Sequence, residues 1–265
     1  MSRKRHSAAD EPFFVVRTMR TVMRDGHEIE PHAHDWHQLI YASAGIMTVS
    51  ADKGLWVVPP QWAIWAPASV RHSIRFTGAS SFATLYLRPG DWNGLPAESS
   101  VVAVSPLLRA LILRACDVGM LDRRDAVEHA LAVLIVDAFR TCAVPTLGLT
   151  MPSSAALRAV AEHCAGDARD ESASVVARCF GFSLRTLERR FAAETGMTFG
   201  QWRRHARFLD ALRLLAEGQA VKTVARDAGY RSASAFVAAF SETFGTTPGR
   251  YFADSAERQS ARVNS

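Results

Sequence analysis

Between Phe13 and Leu87 the apolar positions fall in short or alternating runs, FFVVRTM, QLIYAS, IMTVSA, LWVV, AIWA, SIRF and FATLYL, separated by Gly, Pro, Asp and Ser. Runs of this length at near-regular spacing predict the strands of a sandwich or barrel. At Ser105 the period changes to that of a helix. Ser105 is a natural N-cap with Pro106 in the first helical position, and the pattern predicts a helix to about Asp117. A second predicted helix runs from about Arg123 to Cys142 and is apolar through Leu131, Val133, Leu134, Ile135 and Phe139. Val144 to Pro152, with Pro145 and Gly148, reads as a linker. The chain thus divides into a β segment of residues 13–100, a helical segment and linker of residues 101–152, and a second helical segment of residues 153–253.

That last segment carries one pattern twice. Val176-Ala177, Gly181-Phe182, Ser183, Phe191 and Gly196 are matched by Val224-Ala225, Gly229-Tyr230, Ser232, Phe240 and Gly245. The offset is 48 residues before Arg231 and 49 after it, so Arg231 is a single insertion between the halves of the second copy. A duplicated unit of this size is one supersecondary module used twice. Ala177 and Ala225 are small enough for a close helix crossing, Gly181 and Gly229 suit the positive-φ residue at a helix end, and Ser183 and Ser232 suit the next N-cap. Each copy therefore reads as a helix-turn-helix. In the first, Leu184, Leu187 and Phe191 are spaced to face a core, which leaves Arg185, Thr186, Glu188 and Arg189 on the solvent stripe, with Arg190 beside them. Arginine there suits a DNA major groove, because it reads guanine O6 and N7 bidentately and clasps phosphates.

The stretches FGFSLRTLERRFAAETGMTFGQW and ARDAGYRSASAFVAAFSETFGTTPGRYF resemble the double helix-turn-helix domain of AraC/XylS-type bacterial transcription regulators. The resemblance spans about residues 153–253 and includes the closing Gly245, Pro248 and Tyr251. It implies a seven-helix domain that sets two recognition helices in successive major grooves, joined by a helix from about Phe199 to Glu217. Carried over residue by residue, it points to Ser183, Arg185, Thr186, Glu188, Arg189 and Arg190 in the first copy and Arg231, Ser232 and Ser234 in the second as the DNA-binding set. The second copy departs from the family. Its outward positions are Ala233, Ser234, Ala235, Val237 and Ala238, where the family commonly has arginine at the place of Ala238, and Ser241, Glu242 and Thr243 stand where basic residues are usual. Small uncharged side chains make no bidentate base contacts, so the first copy is expected to carry most of the specificity.

Charge follows the same division. From Ser153 onward there are 16 Lys and Arg against 12 Asp and Glu, whereas the first 152 residues have 15 against 14. The basic excess sits on the expected DNA-binding part. Cys116, Cys142, Cys164 and Cys179 show no metal-type or CxxC spacing and read as small buried residues of a reducing cytoplasm. No apolar run approaches membrane-spanning length and no signal peptide follows Arg3, Lys4 and Arg5, so a cytoplasmic protein without membrane contact is expected, with residues 1 to about 11 disordered.

The β segment carries a histidine pattern. After Gly26 come five residues, then His32, one residue, His34, three residues, Gln38, six residues and Gly45. This is the spacing of the first cupin motif, which PHAHDWHQLIYASAG resembles, with glutamine where the metal-binding glutamate usually stands. Pro67 to His72 is similar to the second motif, with Ser69 in a glycine position and Phe76 in that of an asparagine. The resemblance covers about residues 13–90 and implies a cupin-like barrel, or jelly roll. His32 and His34 are two apart and share a strand side, and a facing strand would bring His72 opposite them. With Gln38 they form a candidate N3O site for a divalent transition metal, or the polar wall of a metal-free ligand pocket. His37 is expected on the surface. Tyr41, Trp56, Trp62 and Trp65 are candidate effector-binding residues or ordinary core aromatics.

Together these readings describe an α+β multidomain chain, a cupin-like sensor followed by an all-α double helix-turn-helix domain. The resemblance implies a sequence-specific transcription regulator, more often an activator, that binds double-stranded DNA as a homodimer, answers a small-molecule effector and contacts RNA polymerase. The apolar helices of residues 105–142 are the expected dimerisation surface, with Leu134 and Ile135 in it. The competing reading is a cupin-type metalloenzyme, such as a dioxygenase, with a helical appendage.

Overall fold

The computed structural model describes residues 12–51, 54–141, 148–165, 171–244 and 246–251. The expected disordered start, Cys142 and Gly245 lie outside these residues. In chain order the elements are β1 (Phe14–Met23), β2 (Glu28–His32), β3 (His37–Ala51), β4 (Gly54–Val58), β5 (Trp62–Ala66), β6 (His72–Leu87), β7 (Ser100–Ala103), α1 (Pro106–Val118), β8 (Met120–Asp122), α2 (Ala126–Arg140), β9 (Gly148–Thr150), α3 (Ala155–Ala165), α4 (Ala173–Cys179), α5 (Leu184–Thr195), α6 (Phe199–Ala216), α7 (Val221–Asp227) and α8 (Ala233–Phe244). They form two compact units, one of residues 12–51 and 58–141 and one of residues 54–57 and 148–251.

The first unit is an antiparallel, cupin-like sheet in the order β7-β5-β3-β6-β1-β8, with β2 also paired to β6. QLIYAS and IMTVSA, read from sequence as two strands, are one long strand, as are SIRF and FATLYL. The apparent breaks are β-bulges. The β3–β6 register shifts on either side of Ala44, Gly45 and Gly78 have positive φ, and a β-carbon on Gly45 would collide with Ser80. β2, with the sequence EIEPH, is a largely exposed strand that charge had disguised as loop.

One face of the sheet is covered by α1 and α2. Val15, Leu39, Tyr41, Ala63, Trp65, Ala83, Leu85 and Val102 pack there against Leu108, Ile112, Ile135 and Phe139 in one cluster. The helix starts follow the local chemistry. Ser105 Oγ accepts from Leu108 N at 3.1 Å, and Asp125 caps α2, which begins at Ala126 and not near Arg123. Ile135 is fully buried in this cluster, which corrects its assignment to a dimer surface. Leu134 is 52% exposed, as expected.

The second unit gathers α3 to α8 and a final helical turn at residues 248–251. Gly148–Thr150, expected as linker, is a strand. β9 pairs with β4 through Gly54–Thr150, Leu55–Leu149 and Trp56–Gly148, and Thr150 O accepts from Trp202 Nε1 at 2.9 Å, which ties β9 to α6. The core is aromatic: Phe191 meets Phe199 and Trp202 edge-on at 5.0 and 5.3 Å, and Phe208, Phe236, Phe240, Phe244 and Tyr251 form a second cluster.

Candidate functional site

The duplicated pattern folds into duplicated hydrogen bonds. At the end of α4, Gly181 N donates to Arg178 O at 3.1 Å and Phe182 N to Ala177 O at 2.8 Å; at the end of α7, Gly229 N donates to Arg226 O and Tyr230 N to Ala225 O, both at 2.9 Å. Both are Schellman caps, closed by glycines at φ 72° and 81°. Ser183 Oγ then accepts from Thr186 N, and Ser232 Oγ from Ala235 N, each at 3.1 Å. Two helix-turn-helix units with the same turn result.

In α5 the buried residues are Leu187, Phe191 and Thr195. Leu184, expected to face the core, is 38% exposed and is the first residue of the helix. Arg185, Glu188 and Arg189 are exposed as expected, and among the described residues neither arginine has an ion-pair partner. Other members of the predicted set have structural work: Ser183 and Ser232 are caps, the Thr186 hydroxyl lies 2.8 Å from that of Ser183, and the guanidinium of Arg190 stands over the ring of Phe182 at 5.6 Å. In the second copy Arg231, Ser234, Ala235 and Ala238 are exposed, whereas Ala233 and Val237 are half-buried. The 49-residue offset sets Ser234 against Arg185 and Ala238 against Arg189, so α8 offers short uncharged side chains where α5 offers guanidinium groups.

The first unit brings the three predicted histidines together. His32 ends β2 opposite His72, which begins β6, and His34 lies in the connection between β2 and β3. Their rings lie 4.5 Å (His32–His72), 5.2 Å (His34–His72) and 5.8 Å (His32–His34) apart, with one nitrogen from each within 4.8 Å of the others. Ser69 takes a φ of 67°, the conformation that favours glycine, so the second cupin motif keeps its turn despite the substitution. Each ring is oriented by its Nδ1 on a backbone carbonyl, Glu30 O for His32 at 2.8 Å, Trp36 O for His34 at 2.7 Å and Val70 O for His72 at 3.0 Å. His72 is 2% exposed, and burial pushes its pKa down to about 4, so it is neutral near pH 7. Its Nε2 is buried without a hydrogen-bond partner among the described residues. Gln38 is buried, with Oε1 2.8 Å from His34 Nε2 and Nε2 2.9 Å from Thr84 Oγ1. Three oriented imidazoles and an amide oxygen fit a transition-metal donor set.

Register decides which aromatics share that face. Gln38 and Ile40 pair with Tyr86 and Thr84 on the histidine side, whereas Leu39 and Tyr41 pair with Leu85 and Ala83 on the helix side. Tyr41 and Trp65 are therefore core residues under α1 and α2, and the structure does not bring them to the histidines. Trp56 belongs to the second unit. Trp62 has the strand parity of Ala66 and Ile64, the partners of Gln38 and Ile40, and its Nε1 is buried without a partner among the described residues. His37, expected on the surface, is half-buried: it stacks on Trp65 at 5.2 Å and its Nδ1 accepts from Ala68 N, and burial lowers its pKa. Sequence reasoning missed Thr84, which fixes Gln38, and Tyr86, edge-on to His34 at 5.2 Å. The alternation of Phe82, Thr84 and Tyr86 in FATLYL was the available signal. A pocket of about 430 Å³ lined by Asn93, Pro96, Ser100, Phe139 and Arg140 contains none of the predicted effector residues.

Comparison with known proteins agrees on both halves. Residues 15–138 match the AraC-like ligand binding domain, and residues 176–254 match a helix-turn-helix domain. The chain is 33% identical over 223 residues to the HTH-type transcriptional regulator NimR of Escherichia coli, covering 84% of this chain and 81% of that one. It is 38% identical over 97 residues to the transcriptional activator NphR of a Rhodococcus species, covering 36% of this chain and 27% of that one. Among solved structures, ToxT of Vibrio cholerae aligns over 90% of this chain and 98% of its own, at 11% identity and a TM-score of 0.36. The relatives and the matched domains are those of regulators, so the metalloenzyme reading is set aside.

Proposed function

The chain belongs to the AraC-type family of helix-turn-helix transcription regulators, and on that premise we propose that it works as a cytoplasmic homodimer, activates transcription through contact with RNA polymerase, and reads DNA chiefly through α5. As a member of the family it binds DNA, carries a ligand-binding domain and is not an enzyme. We assign effector sensing to residues 13–100, dimerisation to α1 and α2, and DNA binding to residues 153–253. The observation that carries the reading of α5 is the pair of identical helix-turn-helix turns with exposed arginines on only one recognition helix. Among the described residues, no helix is long and apolar enough to cross a membrane. The name of NphR as an activator supports the sign of regulation.

Effector binding on the histidine face would bias how the two DNA-binding units of a dimer are presented, which is allostery in the sense of two sites acting on one equilibrium. A retained complex between the purified chain and the duplex flanking its own gene, in the presence of excess bulk DNA, supports the assignment. Equal loss of that complex to competitor of any sequence contradicts it.

The dimer has its own test. Leu107 on α1 and Val127, Val133 and Leu134 on α2 are exposed apolar residues, and Val127 is 76% exposed. Exposed apolar clusters mark interfaces, and a two-fold dimer would use this surface isologously. Leu134→Glu is expected to give a folded monomer by sedimentation, with circular dichroism unchanged. If it remains dimeric, the interface lies elsewhere.

A further inference from the structure

We propose that Glu194 is a positioning residue that latches the segment entering α3 onto α5, so that DNA contact by α5 and the order of residues 148–154 bias one another. The inference rests on the reading of α5 as the main DNA-reading helix, and it starts from the cap of α3. The first helical bond of α3 runs from Arg158 N to Ser154 O at 2.9 Å, which makes Ser154 the N-cap. A capping box needs a Glu or Gln three residues on, whose side chain reaches back to the N-cap amide. That place is held by Leu157, which has no acceptor and is fully buried. Glu194, 40 residues away in the last turn of α5, supplies the acceptor instead: its Oε2 accepts from Ser154 N at 2.8 Å and from the Ser153 hydroxyl at 3.2 Å.

The amide of Ser154 holds the carboxyl of Glu194 below the ordinary carboxylate range, helped by the Ser153 hydroxyl and by Arg190 one turn earlier on α5. The group is therefore ionised near pH 7, and both bonds are charge-assisted. The other end of the segment is fastened as well. Thr150 O accepts from Trp202 Nε1 at 2.9 Å, and Trp202 packs edge-on to Phe191 of α5 at 5.3 Å. β9 pairs in turn with β4, which lies in the sequence between β3 and β5 of the ligand-binding domain. The second copy is built otherwise. The 49-residue offset sets Thr243 against Glu194, and the Thr243 hydroxyl donates to Ala239 O of its own helix at 2.9 Å. α6 likewise caps itself, through Thr198 and Gln201. The long-range tie thus falls on the helix that carries the exposed arginines.

Linkage is reciprocal, so the coupling is read by amide hydrogen exchange across residues 148–154 of the full-length chain, with and without a saturating amount of the duplex flanking its own gene. The duplex is expected to slow exchange there about 5-fold or more in the wild type. Glu194→Ala should bind the duplex, keep the circular dichroism of the wild type and lose the slowing. Glu194→Gln, which keeps an acceptor oxygen, should restore most of it. Trp202→Phe, which keeps a ring in the core and removes the donor to Thr150 O, should reduce it. Wild-type protein that retards the duplex without slower exchange, or slowing equal in wild type and Glu194→Ala, overturns the latch and leaves the regulator reading intact. If Glu194→Ala does not hold its fold, equal slowing in wild type and Trp202→Phe overturns the latch. Failure of the α5 reading shows separately, as operator binding unchanged by Arg189→Ala.

Discussion

Replacing Arg189 with alanine is expected to cost about 1–3 kcal/mol of operator binding and to relax base preference at one position. The side chain is exposed on α5, two residues before the buried Phe191 and four after Arg185, and among the described residues no carboxylate holds it. It is thus available for a bidentate contact with guanine. Glu188 stands beside it, so the stripe is not uniformly basic, and a phosphate-only role would show differently: all sequences would weaken alike and the salt dependence would become shallower. The internal control is the corresponding residue of the second copy. Ala238→Ser should leave binding nearly unchanged, since alanine offers no hydrogen bond to lose. A titration on operator variants in which Ala238→Ser is more harmful than Arg189→Ala would reverse the assignment of the two helices.

Phe191→Ala should destabilise the second unit by about 3–5 kcal/mol, enough to abolish DNA binding through unfolding. The ring is fully buried between Phe199 and Trp202, and Trp202 is itself anchored to Thr150 O. Leu184→Ala, in the same helix and on the same expected stripe, should stay within about 0.5 kcal/mol because the leucine is already partly in solvent. Denaturant unfolding followed by tryptophan fluorescence measures both. Equal losses would mean that Leu184 packs as deeply as Phe191.

Leu184 also shows where the sequence could and could not be read. The helix-turn-helix units were legible because their determinants are local: a glycine at positive φ, a serine cap and an apolar spacing within one helix each act over a few residues. Periodicity does not say how deeply the first turn of a helix packs, so Leu184 reads as core although it is partly in solvent. Tyr41 and Trp65 were ambiguous for another reason. Both faces of β3 and β5 are buried, which removes the polar contrast that alternation needs. In α2, Leu134 and Ile135 adjoin in an apolar run, and only the packing against the sheet separates the exposed residue from the buried one. The β4–β9 pairing, which makes Trp56 part of the second unit, joins segments far apart in sequence and left no local mark. The histidine cluster was legible as spacing, but the groups that orient it were not, since these are Thr84 and backbone carbonyls that carry no mark in the motif.

The central claim, that one helix-turn-helix reads sequence while its duplicate mainly positions, is tested most directly by selecting bound duplexes from a random library with the purified full-length chain. The expected motif has one strongly specified block, lost in Arg189→Ala, and a second about one helical turn away that is weakly specified and unaffected by Ala238→Ser. Two equally specified blocks, or a single block that survives Arg189→Ala unchanged, would contradict it.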